Sequence, residues 1–108
     1  YPDGMDVEVF SKTNIEKASK FIMTEDQKEH VTNIFWQNLN IFKCFRLDLN
    51  INYSKYRLTV DYPEDFIVIK HIIENLYASN PMFPLEDIIK FLNDNPEVKK
   101  INMSLAKK

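Results

Sequence analysis

At 108 residues, 44% hydrophobic and 28% charged, the chain is long enough for one compact domain with one core over 1–108 and too short for two. Its 14 Lys and Arg against 16 Asp and Glu leave a formal net charge of −2, which excludes the basic footprint of a nucleic-acid binder or of a protein held on an anionic membrane surface. No apolar run approaches the length needed to span a bilayer, and the single cysteine, Cys44, excludes an internal disulfide and suits a reducing cytoplasm.

Tyr1, Pro2, Asp3 and Gly4 read as a turn. Residues 5–10 then alternate, with Asp6 and Glu8 on one face and Val7 and Val9 on the other, which predicts a strand. Carboxylates at i and i+2 on a strand lie roughly 6.5–7 Å apart, near enough to converge on one cation or substrate and too far to share a proton. A strand with one solvated face is the alternative reading of the same spacing.

Residues 12–23 have helical periodicity through Ile15, Ala18 and Ile22, with Ser11 or Thr13 as N-cap. Thr24 opens a second helix by a capping box with Gln27, and Val31, Ile34 and Phe35 form its apolar side. His30 has no second His or paired carboxylate at metal-binding spacing, which favours a structural role. Trp36 and Phe42 suit a core or a subunit contact. Residues 38–40 break the helix, and 41–49 alternate as another predicted strand with Cys44 in a packing position.

Leu58, Thr59 and Val60 predict a short buried strand, and Pro63 predicts the first turn of a helix, where its missing N–H is not needed. Glu64 and Asp65 complement the positive end of that helix. Phe66, Ile69, Ile73 and Leu76 recur on one face, which predicts the buried side of a helix ending near Tyr77. Asp61 then stands at the carboxyl end of a strand, the edge where α/β sheets bind ligands, and equally in place to cap the helix. Pro84 starts a further helix with Leu85, Ile88, Ile89 and Leu92 as its stripe, stopped at 93–96. Lys99, Lys100, Lys107 and Lys108 make a basic tail. Strand, helix, helix, strand, strand, helix, helix predicts an α/β fold of about three strands and four helices, incomplete as a sheet. Gly4 is the sole glycine, so no glycine-rich loop able to cradle a triphosphate is encoded in these residues.

Four blocks carry a resemblance: YPDGMDVEVFS, EHVT, RLTVDYPEDF and NPMFPLEDIIKFLNDNPEV. In this order they resemble the spore coat polysaccharide biosynthesis protein F family, relatives of the acylneuraminate and 3-deoxy-manno-octulosonate cytidylyltransferases. The likeness covers nearly the whole chain, is weakest between Phe35 and Tyr53, and is to the second half of a longer enzyme. It implies the C-terminal part of a Rossmann-like nucleotide-diphospho-sugar transferase fold whose nucleotide loop lies in an N-terminal segment, so that these 108 residues alone would not turn over CTP.

The implied reaction moves CMP from CTP to a sugar acid or related sugar and releases pyrophosphate. It implies magnesium, and a hard Mg²⁺ ion selects carboxylate oxygens. The resemblance places Asp61 at the family's metal-ligand position, brings the segment holding Asp6 and Glu8 toward the substrate cleft, and puts His30 on a substrate-side or dimer-side element of a homodimer. This chain has Tyr62 where relatives often carry Thr, and Thr59 where sugar-acid cytidylyltransferases can carry a second aspartate. A non-catalytic dimerisation or metabolite-binding module is the reading from another class, suited by the missing phosphate loop and the apolar run Ile34, Phe35 and Trp36.

Overall fold

Pro63 opens the longest helix, α4 (Pro63–Leu76), from its first position, with Glu64 and Asp65 in the first turn. The computed structural model describes residues 1–21, 23–30 and 32–105. The helices before α4 are short: α1 (Lys12–Ala18), α2 (Glu25–Glu29) and α3 (Asn33–Gln37). After it come α5 (Leu85–Asp94), α6 (Pro96–Lys100) and a 3₁₀ turn at Met103–Leu105. The chain divides into two compact units, one made of Tyr1–Asp6 with Leu49–Lys108, the other of Val7–Asp48.

The first unit is a helical cluster. Tyr56, Val68, Ile72, Ile89, Leu92 and Val98 are its buried core, with Leu58, Ile69, Leu76, Leu85 and Ile88 packed half-buried against them. Val68 and Ile72 come from α4, Ile89 and Leu92 from α5 and Val98 from α6, so the three helices close around one apolar centre. The α5 stripe is the one the periodicity predicts. The α4 stripe is half of the one predicted: Ile69 and Leu76 do pack against the core, but its fully buried members are Val68 and Ile72, whereas Phe66 and Ile73 are exposed. The helix carries two adjoining apolar faces, and the burial of Asp65 on the same side as Val68 and Ile72 decides which one turns inward.

The second unit is centred on aromatic rings. Phe35 meets Phe10 at 4.4 Å in a stacked arrangement and Phe42 at 4.8 Å edge-on, and Phe42 meets Phe21 at 5.9 Å. Ala18 and Ile34 are buried with them. Cys44 packs half-buried, with Sγ 3.7 Å from the carbonyl oxygens of Phe35 and Phe42. The capping box forms as predicted: Gln27 N donates to Thr24 Oγ1 and Thr24 N to Gln27 Oε1. The helices are shorter than predicted, however. The first ends at Ala18, and the second is divided into α2 and α3, joined by Gln27 Nε2 to Gln37 Oε1 at 2.6 Å and Asn33 Nδ2 to Asp26 Oδ2 at 3.0 Å. Ile22, Val31, Lys107 and Lys108, which entered the helix and tail predictions, lie outside the described residues.

The expected α/β fold with three strands, and with it the Rossmann-like fragment, is overturned: the described residues are helical and irregular and form no sheet. Residues 5–10, 41–49 and 58–60 were expected as strands from alternation and β-branched content. A strand exists only against a partner, and among the described residues these stretches form no ladder: the Leu58 N–H given to the Asp3 carbonyl at 2.7 Å is an isolated bond beside a single bridge. Val7 and Val9 are 87% and 91% exposed, and Phe45 and Leu47 81% each, so the alternation reports a pattern without the surface that would bury it. One isolated parallel bridge, Asp3 with Arg57, is the pairing found among the described residues.

Candidate functional site

That bridge lies in the most highly connected polar cluster of the first unit. Asp3 N donates to the Tyr56 carbonyl at 2.9 Å and Leu58 N to the Asp3 carbonyl at 2.7 Å, which lays the Tyr1–Asp6 arm beside Arg57. Gly4 makes this possible. Its φ is +94°, and a Cβ there would stand 2.5 Å from the Thr59 nitrogen and 2.7 Å from the Leu58 carbonyl carbon.

Arg57 is buried and spends its guanidinium on three carboxylates. Nε and Nη2 donate to Asp65 Oδ1 and Oδ2, both at 2.9 Å; Nη1 donates to Asp3 Oδ2 at 2.9 Å; and Nη2 also donates to Asp61 Oδ2 at 2.8 Å. The Tyr62 ring packs 5.6 Å from the guanidinium carbon. Asp65 is fully buried and five-fold satisfied, accepting in addition from Asn102 Nδ2 at 2.9 Å and from the backbone nitrogens of Asp61 and Tyr62 at 3.1 Å each. Asn102 also donates to the Arg57 carbonyl at 3.0 Å. No buried side-chain nitrogen or oxygen among the described residues is left without a partner.

The electrostatics follow from that geometry. The Arg57 guanidinium holds the Asp65 carboxyl well below the usual carboxylate range; burial opposes this, and Asn102 with the two backbone N–H groups adds to it. In return the hydrogen bonds it donates to Asp65 raise Arg57 above its already high ordinary value. Arg57 thus stands among three carboxylates, Asp3, Asp61 and Asp65, a grouping with more acidic than basic side chains.

Asp61 is the member of this cluster that faces solvent, with its side chain 61% exposed. One oxygen is taken by Arg57 and by a longer contact from Thr59 Oγ1 at 3.4 Å. Its backbone N–H is spent on Asp65, and Tyr62 rather than Asp61 is the N-cap residue of α4. Among the described residues no three His, Cys, Asp or Glu side chains are grouped to hold a metal ion. Asp61 is thus a single exposed carboxylate that belongs to no such ligand group among the described residues.

The other residues singled out from sequence are placed differently. Asp6 is exposed and is not among the groups Arg57 gathers. Glu8 belongs to the other unit, where its carboxylate accepts from Trp36 Nε1 at 2.8 Å. His30 is exposed at the C-cap of α2 in that same unit. The pairing of Asp6 with Glu8 on one strand face goes with the strand that does not form. Sequence reasoning missed Arg57, Asp3, Asp65 and Asn102. Asp65 had a signal, since the third residue of a helix begun by Pro63 is where a side chain reaches back to the N-cap nitrogen. Asn102 had none.

No helix among the described residues is long and apolar enough to cross a membrane. No protein-family model matches the chain, and no solved structure matches it significantly. The chain is similar to an uncharacterized protein of Methanocaldococcus jannaschii, with 34% identity over 107 residues. That alignment takes in 97% of this chain, which spans 43% of the length of the archaeal protein.

Proposed function

We propose that the chain is part of a cytoplasmic nucleotidyltransferase that transfers CMP from CTP to a sugar acid or related sugar for cell-surface or spore-coat polysaccharide synthesis, with Asp61 as its metal-facing carboxylate. The observation that carries this reading is that the block RLTVDYPEDF, which resembles the cytidylyltransferase block, folds so that its first aspartate is solvent-facing while its last, Asp65, is buried against Arg57. Residues with one structural duty would be satisfied inward, as Asp65 is. Asp61 keeps an exposed oxygen beside a cluster with more acidic than basic side chains, which favours a cation. A divalent ion bound there would neutralise triphosphate charge and lower the pKa of the attacking hydroxyl. Asp61 would supply one oxygen to it, its other oxygen being held by Arg57.

The test is pyrophosphate release from CTP by the full-length archaeal relative against a panel of sugar acids and other sugars, with and without Mg²⁺. Magnesium-dependent release with one acceptor class is expected. Absence of CTP consumption with every acceptor would end the reading.

A second reading, association through a homodimer contact, is favoured by one observation. Phe66 and Ile73 of α4 and the cap residues that flank it, Tyr62 and Tyr77, are 59%, 47%, 54% and 57% exposed, apolar surface beside the face already buried.

A further inference from the structure

The buried ring of Tyr56 carries two ammonium groups. Lys99 Nζ lies 4.6 Å from its centroid and Lys55 Nζ 5.5 Å. Either contact alone is an ordinary cation–π pair, but two cations gathered on one ring repel each other. Lys12, Lys28, Lys70 and Lys90 each pair with a carboxylate, whereas among the described residues Lys55 and Lys99 pair with none. Lys99 is also half-buried, where an ammonium without a counter-ion is costly. Of its three donors one goes to Asn93 Oδ1 at 2.8 Å and one to the Tyr56 hydroxyl at 3.3 Å, and that hydroxyl donates to the same Asn93 oxygen at 2.8 Å. Two neutral partners thus hold the Lys99 ammonium in place without neutralising it.

A cleft opens beside this frame. Lys55, Tyr56, Lys99 and Asn102 line it together with the apolar Leu92 and Met103, and it has room for a single water-sized group. Arg57 borders it as well, but its guanidinium is committed to Asp3, Asp61 and Asp65, and Asn102 Nδ2 is spent on the Arg57 carbonyl and on Asp65. The open cationic groups at the cleft are the two lysines.

We propose that this cleft is an oxyanion site in which Lys55 and Lys99 close on the terminal phosphoryl group of inorganic phosphate or of a small phosphate monoester. One oxygen enters the cleft and the others meet the two ammonium groups at its mouth. Two cations match a dianion, which a phosphoryl group approaches at neutral pH and a single carboxylate does not. Because only one oxygen enters, whatever the group is attached to stays in solvent, and inorganic phosphate and a monoester bind alike. The site is separate from Asp61 and does not depend on the reading of that residue.

Amide NMR of the 108-residue chain tests this, with inorganic phosphate and CMP titrated separately against sodium chloride at matched ionic strength. Saturable shifts confined to residues 54–57 and 99–103 are expected, with similar midpoints for the two ligands. Lys55→Gln removes an exposed ammonium outside the core and should weaken both about tenfold, the size expected for a hydrogen bond to a charged group. Lys99→Gln should weaken them at least as much, and Lys100→Gln, exposed at the end of the same helix, should change nothing. Lys99 also holds Tyr56, so if Lys99→Gln fails to fold the Lys55→Gln result decides. Shifts that chloride reproduces, no saturable response to phosphate, or midpoints unmoved by Lys55→Gln would overturn the proposal. Binding of CMP without binding of phosphate would overturn it too, because the nucleoside and not the phosphoryl group would then be what is recognised.

Discussion

The Asp65 carboxylate meets the Arg57 guanidinium in a two-point fork, Oδ1 on Nε and Oδ2 on Nη2, each at 2.9 Å and away from solvent. Eight residues apart, the two tie the start of α4 to the segment before it and set the rotation of the helix. Replacing Asp65 by Ala leaves a buried guanidinium short of its main partner, and breaking a buried pair in this way costs about 3–5 kcal/mol. Small domains hold about 5–15 kcal/mol in all, so the first unit should lose much of its stability. Urea denaturation followed by helical circular dichroism checks this. Glu74→Gln, which removes the exposed pair with Lys70, should leave the transition where it was.

Acid sensitivity follows from the same fork. The Asp65 carboxyl is held below its ordinary value of 3.8, so the unfolded state binds the proton more readily than the folded state does. The stabilisation is therefore complete above that ordinary value and is lost as pH falls below it toward the depressed folded value. Stability measured downward from pH 5 should decline more steeply in the natural chain than in Asp65→Asn, which has no such proton to take up. Parallel slopes in the two proteins would show that Asp65 is not the group responsible.

Gly4→Ala is expected to release the N-terminal arm. The substitution forces a side chain into a positive-φ backbone and against the Thr59 nitrogen at 2.5 Å. Unfavourable backbone regions alone cost about 1–3 kcal/mol, and the contact adds to that. Amide exchange at Leu58, whose N–H is given to the Asp3 carbonyl, should rise well before exchange in α5 does.

Asp61→Asn should change stability little, because its carboxylate is solvated and Asp65 does the backbone capping. On the proposed reading, the same substitution in a longer protein that contains this chain should cut the CMP-transfer rate by orders of magnitude and weaken its magnesium dependence. The 108-residue chain alone, with one glycine and no phosphate loop, should release no pyrophosphate above an Asp61→Asn control. Turnover by this chain would refute that expectation.

Association is the remaining prediction. If the exposed surface of Tyr62, Phe66, Ile73 and Tyr77 is a contact between copies, the chain should sediment above its 12.9 kDa monomer mass at high concentration. Phe66→Lys with Ile73→Lys should return it to monomer with its helical signal intact, since both side chains lie outside the core. A clean monomer for the unsubstituted chain would dispose of the homodimer.

What the sequence determined by itself is what acts within a few residues. Pro63 starts a helix because its geometry allows little else, Thr24 and Gln27 close their box across one turn, and the α5 stripe buries Ile89 and Leu92 because the helical period puts them together. Strand pairing is not local in that sense. The alternation at 5–10 and 41–49 describes faces but supplies no partner, and without one no sheet forms. The choice between the two apolar faces of α4 was also open in sequence, because Phe66 and Ile73 are as hydrophobic as Val68 and Ile72. Only the tertiary structure decided it, by burying Asp65 against an arginine that itself depends on Asp3, 54 residues earlier in the chain. Satisfying a buried charge takes partners from wherever the chain passes, and periodicity carries no record of that requirement.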